Sequence, residues 1–385
     1  MKRKIIAAIA AAVLIIKFLP CCQGYSAEKP AVSALAAVVI SADTGEILYS
    51  LNHNKKLPMA STTKIMTALL CLESGGLDEE FVVDSEAIEV EGSSMGLQEG
   101  DIVTKYALCC GMLLPSGNDA ANAAAVRIAG SIEDFAVLMN ERAEKMGLTQ
   151  TFFVTPSGLE GEGHGSSAYD MALLAAEALK NETFREICSS ETIKLTYGNP
   201  PYDRWLKNTN KLLSMDDGVY GVKTGFTDEA GRCLVSACQR DGKNLICVTL
   251  NDRDDWNDHL ALYSWCFQQV HLFQPDIPES FETDIVGAEE NRIILKPQNA
   301  DLNITTASGE LSDFSWKLIS APFVYAPVKA GEQAAELQIA FKGREVRRIP
   351  LYAVKDYEYL NISSENKSKK SLTDRLFSRL REFFA

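Results

Sequence analysis

Ser61 and Lys64 stand three residues apart in Pro58-Met59-Ala60-Ser61-Thr62-Thr63-Lys64-Ile65-Met66-Thr67, at the start of an apolar pattern that predicts a helix to about Leu72. Positions i and i+3 share a helix face, so hydroxyl and amine can sit side by side. A serine hydroxyl is a poor nucleophile until a neighbouring base takes its proton. A lysine can be that base when burial, or a second cation, lowers its pKa. Taken alone, the pair is also what an N-cap serine followed by a solvated lysine looks like, and chance produces the spacing often.

Two later stretches bear on the choice. Ser116-Gly117-Asn118 follows Leu114-Pro115 between two helical patterns, and Lys223-Thr224-Gly225 lies in the strand-like run Val222 to Thr227. Each has a plain alternative, since Ser116 could cap the next helix and Lys223 could be a solvated strand lysine. A formal Gly-x-Ser-x-Gly, Gly92 to Gly96, reads as a loop. It lies among turn residues, without the preceding strand and following helix that a nucleophile elbow needs.

The elements that must position these residues follow from pattern. Ala36 to Ile40 and Glu46 to Leu51 read as strands joined by a turn at Ser41 to Gly45. The Ser61 helix should end at Gly75-Gly76. Helices are predicted over Thr104 to Leu114, Asp119 to Ala129, Ser131 to Met146 and Ala168 to Leu179, with an irregular loop carrying His164 before the last. Short strands and turns fill Leu195 to Asp228. Arg232 to Gln239 and Asn244 to Leu250 read as strands about Asp241-Gly242, and a helix runs from Asp258 to about Val270. Strands, many helices, strands and a helix give an α+β layered domain. After a linker at Pro275-Asp276-Ile277-Pro278, short β-like runs predict a small all-β domain.

The two ends read differently. Lys2, Arg3 and Lys4 precede an apolar run from Ile5 to Ile16, short of the roughly 20 residues a spanning helix needs, so residues 1–27 read as a signal peptide. The protein is thus expected to be exported. In the tail, Leu372, Leu376, Phe377, Leu380, Phe383 and Phe384 share one helical face, and six Lys or Arg against two acids leave it at +4. A basic amphipathic helix of that kind suits a membrane interface. The remaining body is acidic, with a net charge of −14 for the 385 residues, which argues against nucleic acid as a partner. Ten cysteines show no Cys-x-x-Cys pairing and only four histidines are present, so free core thiols are expected rather than disulfides, and no metal site.

Ser61-x-x-Lys64, Ser116-Gly117-Asn118 and Lys223-Thr224-Gly225, in this order in an exported chain, form a specific combination. The chain resembles the low-molecular-mass penicillin-binding proteins, the serine D-alanyl-D-alanine carboxypeptidases of cell-wall synthesis, over nearly its whole length. The resemblance implies a penicillin-binding-protein/β-lactamase-like transpeptidase fold, an antiparallel sheet with a helical cluster, in residues 28–274. It also implies a sandwich-like β domain in 275–360, and a spacer and membrane-anchor helix in 361–385. The implied location is the outer face of the cytoplasmic membrane. Ser61 would attack the terminal peptide bond of a peptidoglycan stem peptide ending in D-Ala-D-Ala, with Lys64 as base and Ser116 as proton relay. Asn118, Lys223, Thr224 and Phe226 would bind substrate, the backbone N–H groups of Ser61 and Phe226 forming the oxyanion hole. No cofactor is implied. β-Lactam antibiotics would acylate Ser61. His164 takes a structural part in this reading, and Arg253 is a further candidate near the substrate carboxylate. A β-lactamase would need a Glu-x-x-x-Asn stretch, and none lies between Thr149 and Ser167. A non-catalytic penicillin-sensing or wall-binding protein, and an endopeptidase acting on cross-links, remain alternatives.

Overall fold

The computed structural model describes residues 28–298 and 302–360. The signal peptide and the amphipathic tail read from the sequence lie outside them.

The first strands are β1 (Ala36–Ser41) and β2 (Ile47–Leu51), followed by α1 (Lys64–Glu73), which a 3-10 turn at Ala60–Thr63 introduces. A small ribbon of β3 (Phe81–Val82) and β4 (Ile102–Val103) precedes α2 (Lys105–Leu113), α3 (Asn118–Ala129) and α4 (Ile132–Lys145). Then come α5 (Ala168–Ala178), α6 (Glu182–Ser189), the hairpin β5 (Thr192–Gly198) and β6 (Pro201–Lys207), and the single turn α7 (Leu212–Met215). Strands β7 (Val219–Thr227), β8 (Gly231–Arg240) and β9 (Lys243–Leu250) lead to α8 (Asp255–Cys266). The main sheet has the order β2-β1-β9-β8-β7 and is antiparallel throughout. Strand β7, which carries Lys223, Thr224 and Phe226, is therefore an edge.

Both faces of this sheet are covered, which is why all six residues of β1 are buried. Ala36, Val38 and Ile40 face the helical cluster, while Ala37 and Val39 face Leu262, Tyr263 and Cys266 of α8. Helix α1 is apolar around most of its circumference and buries Ile65, Met66, Leu69 and Leu72, the pattern of a helix enclosed by others. Each such side chain contributes about 1.5–3 kcal/mol of hydrophobic stabilisation. The Ser61–Lys64 pair is thus mounted where the 3-10 turn enters a helix enclosed by others. All eight cysteines among the described residues are buried and unpaired, as expected of core thiols.

Helix α6 was not evident in the sequence pattern. It has eight residues, capped by the Asn181 side chain, and buries only Phe184, Ile187 and Cys188, a helical stripe confined to about two turns. The predicted helix from Asp258 begins three residues earlier, at Asp255.

The C-terminal part is all-β. Strands β10 (His271–Phe273), β11 (Phe281–Val286), β12 (Arg292–Pro297), β13 (Ile304–Thr306), β14 (Phe314–Ser320), β15 (Val324–Tyr325), β16 (Gln333–Phe341) and β17 (Arg344–Ala353) follow in order. Six of them form one sheet, β14-β16-β17-β12-β11-β15, over a core that includes Ile293, Leu295, Leu337, Ile339 and Leu351. Strand β10 pairs instead with β13. Thr305 of β13 joins the two parts. Its N–H donates to Asp43 Oδ2 (2.7 Å), its carbonyl accepts from Ser41 Oγ (2.6 Å), and its Oγ1 accepts from the Asn244 N–H (3.0 Å). Arg347 of β17 adds an ion pair to Asp43 at 3.1 Å.

Candidate active site

The structure brings Ser61, Lys64, Ser116, Asn118, Lys223 and Thr224 to one place, between the start of α1, the start of α3 and the free edge of β7. Lys64 Nζ lies 2.8 Å from Ser61 Oγ, 2.6 Å from Asn118 Oδ1 and 2.6 Å from the carbonyl of Ser157. Asn118 Nδ2 donates to the Glu91 carbonyl at 2.6 Å, and this fixes which end of the amide faces the lysine. Asn118 Oδ1 and Ser157 O can only accept, so two of the three positions around Nζ are N–H donors. The third points at Ser61. In the neutral amine that position is a lone pair, and the Ser61 O–H donates into it.

Electrostatics favour the neutral form. Lys64 is fully buried with no carboxylate in contact, and its pKa is held well below the ordinary lysine value. Burial is the main cause and the Lys223 ammonium the second, with Asp119 pulling weakly the other way. Lys223 is itself 1% exposed, and burial brings its pKa down to about 7. Its Nζ donates to Ser116 Oγ (3.0 Å) and to the Thr224 carbonyl (2.8 Å). Ser116 therefore stands on the Lys223 side in the unliganded site.

Local backbone geometry serves this arrangement. Ala60 and Ser116 both sit at positive φ, +48° and +66°, a region that costs a non-glycine residue about 1–3 kcal/mol. One directly precedes Ser61 and the other is the serine beside Lys223. Two glycines allow the close approaches. A Cβ on Gly225 would lie 3.0 Å from the backbone nitrogens of Ser61 and Thr62, which is how closely β7 passes the start of α1. A Cβ on Gly158 (φ +86°) would lie 2.1 Å from the Ala60 carbonyl oxygen. The side chain of Phe226, next to Gly225, is exposed at the mouth.

A family model described as D-alanyl-D-alanine carboxypeptidase matches residues 23–254. The chain belongs to this family. The D-alanyl-D-alanine carboxypeptidase DacF of Bacillus subtilis (strain 168) is 30% identical over 370 residues, 92% of this chain and 94% of that protein. DacC of Escherichia coli (strain K12), another D-alanyl-D-alanine carboxypeptidase, is 32% identical over 86% of each chain. Among solved structures, the Streptomyces K15 DD-transpeptidase superposes with a TM-score of 0.60 at 32% identity, over 62% of this chain and 99% of that one. Penicillin binding protein 5 from Haemophilus influenzae gives 0.61 at 26% identity, over 86% and 99%. The enzyme is a serine-type carboxypeptidase, and its fold is that of the penicillin-binding proteins.

Several contributors to this carboxypeptidase site were not read from the sequence. Ser157 acts through its carbonyl, which no side-chain motif signals. Asp119 accepts from the N–H groups of Met95, Gly96 and Leu97 and from Ser94 Oγ, so the Gly92 to Gly96 stretch is a loop pinned beside Asn118. His164 is structural, as expected. Its Nδ1 accepts from the Val154 N–H, so Nε2–H donates to Thr63 Oγ1 at 3.0 Å. Burial, aided by Lys56, lowers its pKa to about 4 and keeps it neutral. Arg253 is exposed, in the loop that follows β9.

Proposed function

We propose that this carboxypeptidase removes the terminal D-alanine from peptidoglycan stem peptides through an acyl-enzyme on Ser61. The observation that carries the reading is the buried Lys64 amine, 2.8 Å from Ser61 Oγ and without a carboxylate counter-ion. The substrate lies along the free edge of β7, its terminal carboxylate held by Lys223 and Thr224. Ser61 Oγ attacks the penultimate D-Ala carbonyl while its proton passes to Lys64 Nζ. The N–H groups of Ser61 and Phe226 hold the oxyanion. The C–N bond then breaks, and the leaving amine takes a proton through Ser116, replenished from the lysines. Water hydrolyses the ester to free Ser61. Asn118 keeps Lys64 oriented and contacts the substrate amide. A β-lactam forms the same ester by ring opening and blocks the site.

Export by residues 1–27 and attachment to the outer membrane face by the basic amphipathic stretch within 361–385 complete the proposal. It is supported by composition.

The test incubates the purified protein with a β-lactam, locates the adduct by mass spectrometry, and assays D-alanine release from a peptide ending in D-Ala-D-Ala. A stable adduct on Ser61 together with release is expected. An adduct elsewhere, or none, overturns the mechanism. An adduct without release would favour a penicillin sensor, and rapid turnover of the drug a β-lactamase. Removing residues 367–385 should free the processed protein from membranes without lowering its soluble activity; continued tight sedimentation would exclude the anchor.

A further inference from the structure

Asn208, Thr209 and Asn210 connect the β5–β6 hairpin to β7, and the two asparagines are spent on structure. Asn208 Nδ2 donates to the carbonyls of Cys188 (3.1 Å) and Ser190 (3.0 Å), and its Oδ1 accepts from the Asn210 N–H (2.9 Å). Asn210 Nδ2 donates to the Gly221 carbonyl (2.9 Å), and its Oδ1 accepts from the Leu212 N–H (3.1 Å). Thr209 between them is held by its backbone, whose N–H donates to the Leu114 carbonyl at 3.2 Å. Its side chain is exposed, with Oγ1 2.7 Å from Thr224 Oγ1 and 3.4 Å from that same Leu114 carbonyl.

We infer that Thr209 is a positioning residue for the terminal carboxylate, acting by setting the direction of the Thr224 hydroxyl; this rests on the carboxylate subsite proposed above. A hydroxyl has one proton to donate. If Thr209 donates to Leu114, Thr224 must donate to Thr209, and a substrate carboxylate then meets only lone pairs. If Thr209 donates to Thr224, the Thr224 proton is free for the carboxylate. The Leu114 bond is long for O–H···O, well beyond the usual 2.7–2.8 Å, so giving it up costs little. An arriving carboxylate therefore turns both protons, giving the chain Thr209→Thr224→carboxylate, in which each bond polarises the next. The carbonyl that holds Thr209 lies two residues before Ser116. One backbone anchor thus sets the carboxylate subsite relative to the second serine.

The experiment compares the full-length enzyme with Thr209→Val and Thr209→Ser on two peptides, one ending in D-Ala-D-Ala carboxylate and one in its carboxamide. Thr209→Val is expected to raise KM for the carboxylate peptide about fivefold, as for loss of the one neutral hydrogen bond that orients and polarises Thr224, with kcat changed less than about twofold. The already slow carboxamide reaction should not change further, and Thr209→Ser should restore KM. An unchanged KM, or equal losses on both peptides, overturns the inference. So does a Thr209→Ser variant as impaired as Thr209→Val. If Thr209→Val lowers the thermal midpoint, Thr209→Ser and the double variant with Thr224→Val decide: in the second, the Thr209 effect must vanish. Wild-type enzyme cleaving both peptides equally well would remove the carboxylate subsite itself, a failure of the parent reading that the wild type alone reveals.

Discussion

Each face of the main sheet carries a serine beside a buried base, and only one of the two pairs has the makings of a site. On the helical-cluster face, Ser61 lies 2.8 Å from Lys64. On the α8 face, Ser236 Oγ lies 2.7 Å from His259 Nδ1 and 2.6 Å from the Tyr263 hydroxyl, while Thr249 Oγ1 meets His259 Nε2 at 3.1 Å. Distance does not separate them. In the second cluster Ser236, Thr249 and His259 are all 0% exposed, both ring nitrogens have hydroxyl partners, and burial pushes the His259 pKa down to about 3. That network is closed and neutral. The first leaves Ser61 partly open to solvent, sets two lysines close together, and is flanked by two strained residues. A reactive serine is distinguished by what its base lacks and by whether a substrate can arrive.

The contrast can be broken by substitution, beginning where the effect is largest. Lys64→Met should reduce β-lactam acylation by about 10³-fold or more, yet move the thermal midpoint little, because relief of a desolvated amine offsets the unpairing of Asn118 Oδ1 and the Ser157 carbonyl. A large fall in midpoint would place Lys64 among the structural groups. Gly158→Ala forces a methyl against the Ala60 carbonyl at positive φ; a loss of about 1–3 kcal/mol is expected, with acylation slowed as Ser61 shifts. Unchanged acylation would show that the backbone before Ser61 tolerates movement.

The pH profile sharpens the comparison further. The proposed mechanism requires Lys64 neutral and Lys223 charged in the free enzyme. kcat/KM should therefore fall on the acid side as Lys64 gains its proton, and on the alkaline side as Lys223 loses its own from about pH 7 upward. Lys223→Arg, whose charge persists, should move the alkaline limb upward; an unmoved limb would assign it to another group. Last, Ser236→Ala should cost about 1–3 kcal/mol of stability by unpairing buried partners, with kcat/KM held within about twofold. A comparable loss of activity would erase the distinction between the two faces.

How much of this was legible in the sequence depended on whether the signal was local. The three motifs pointed to residues that the fold brings together, because each places a side chain by its own element: the start of α1, the turn before α3 and the edge strand β7. Helix α1, buried on nearly every side, showed itself as an apolar run with a glycine stop. Contributions made by backbone, such as the Ser157 carbonyl, leave no residue-type signature, since any side chain offers the same acceptor. Thr209 was visible only as part of a polar stretch, because its partner Thr224 lies fifteen residues on, across the turn α7. In the C-terminal part, β11 was legible but unread: Phe281, Thr283 and Ile285 point inward and alternate with Glu282 and Asp284, the expected period of two.

The Thr305 junction has a consequence for reach. All three of its polar backbone and side-chain groups are spent on residues at the β1–β2 turn and on β9, so the two parts meet at a joint braced by hydrogen bonds as well as by the chain itself. An attachment through residues 361–385, as proposed above, would act on the Ser61 mouth through this joint. On that proposal the braced joint between the two parts helps to decide how far the Ser61 mouth can reach.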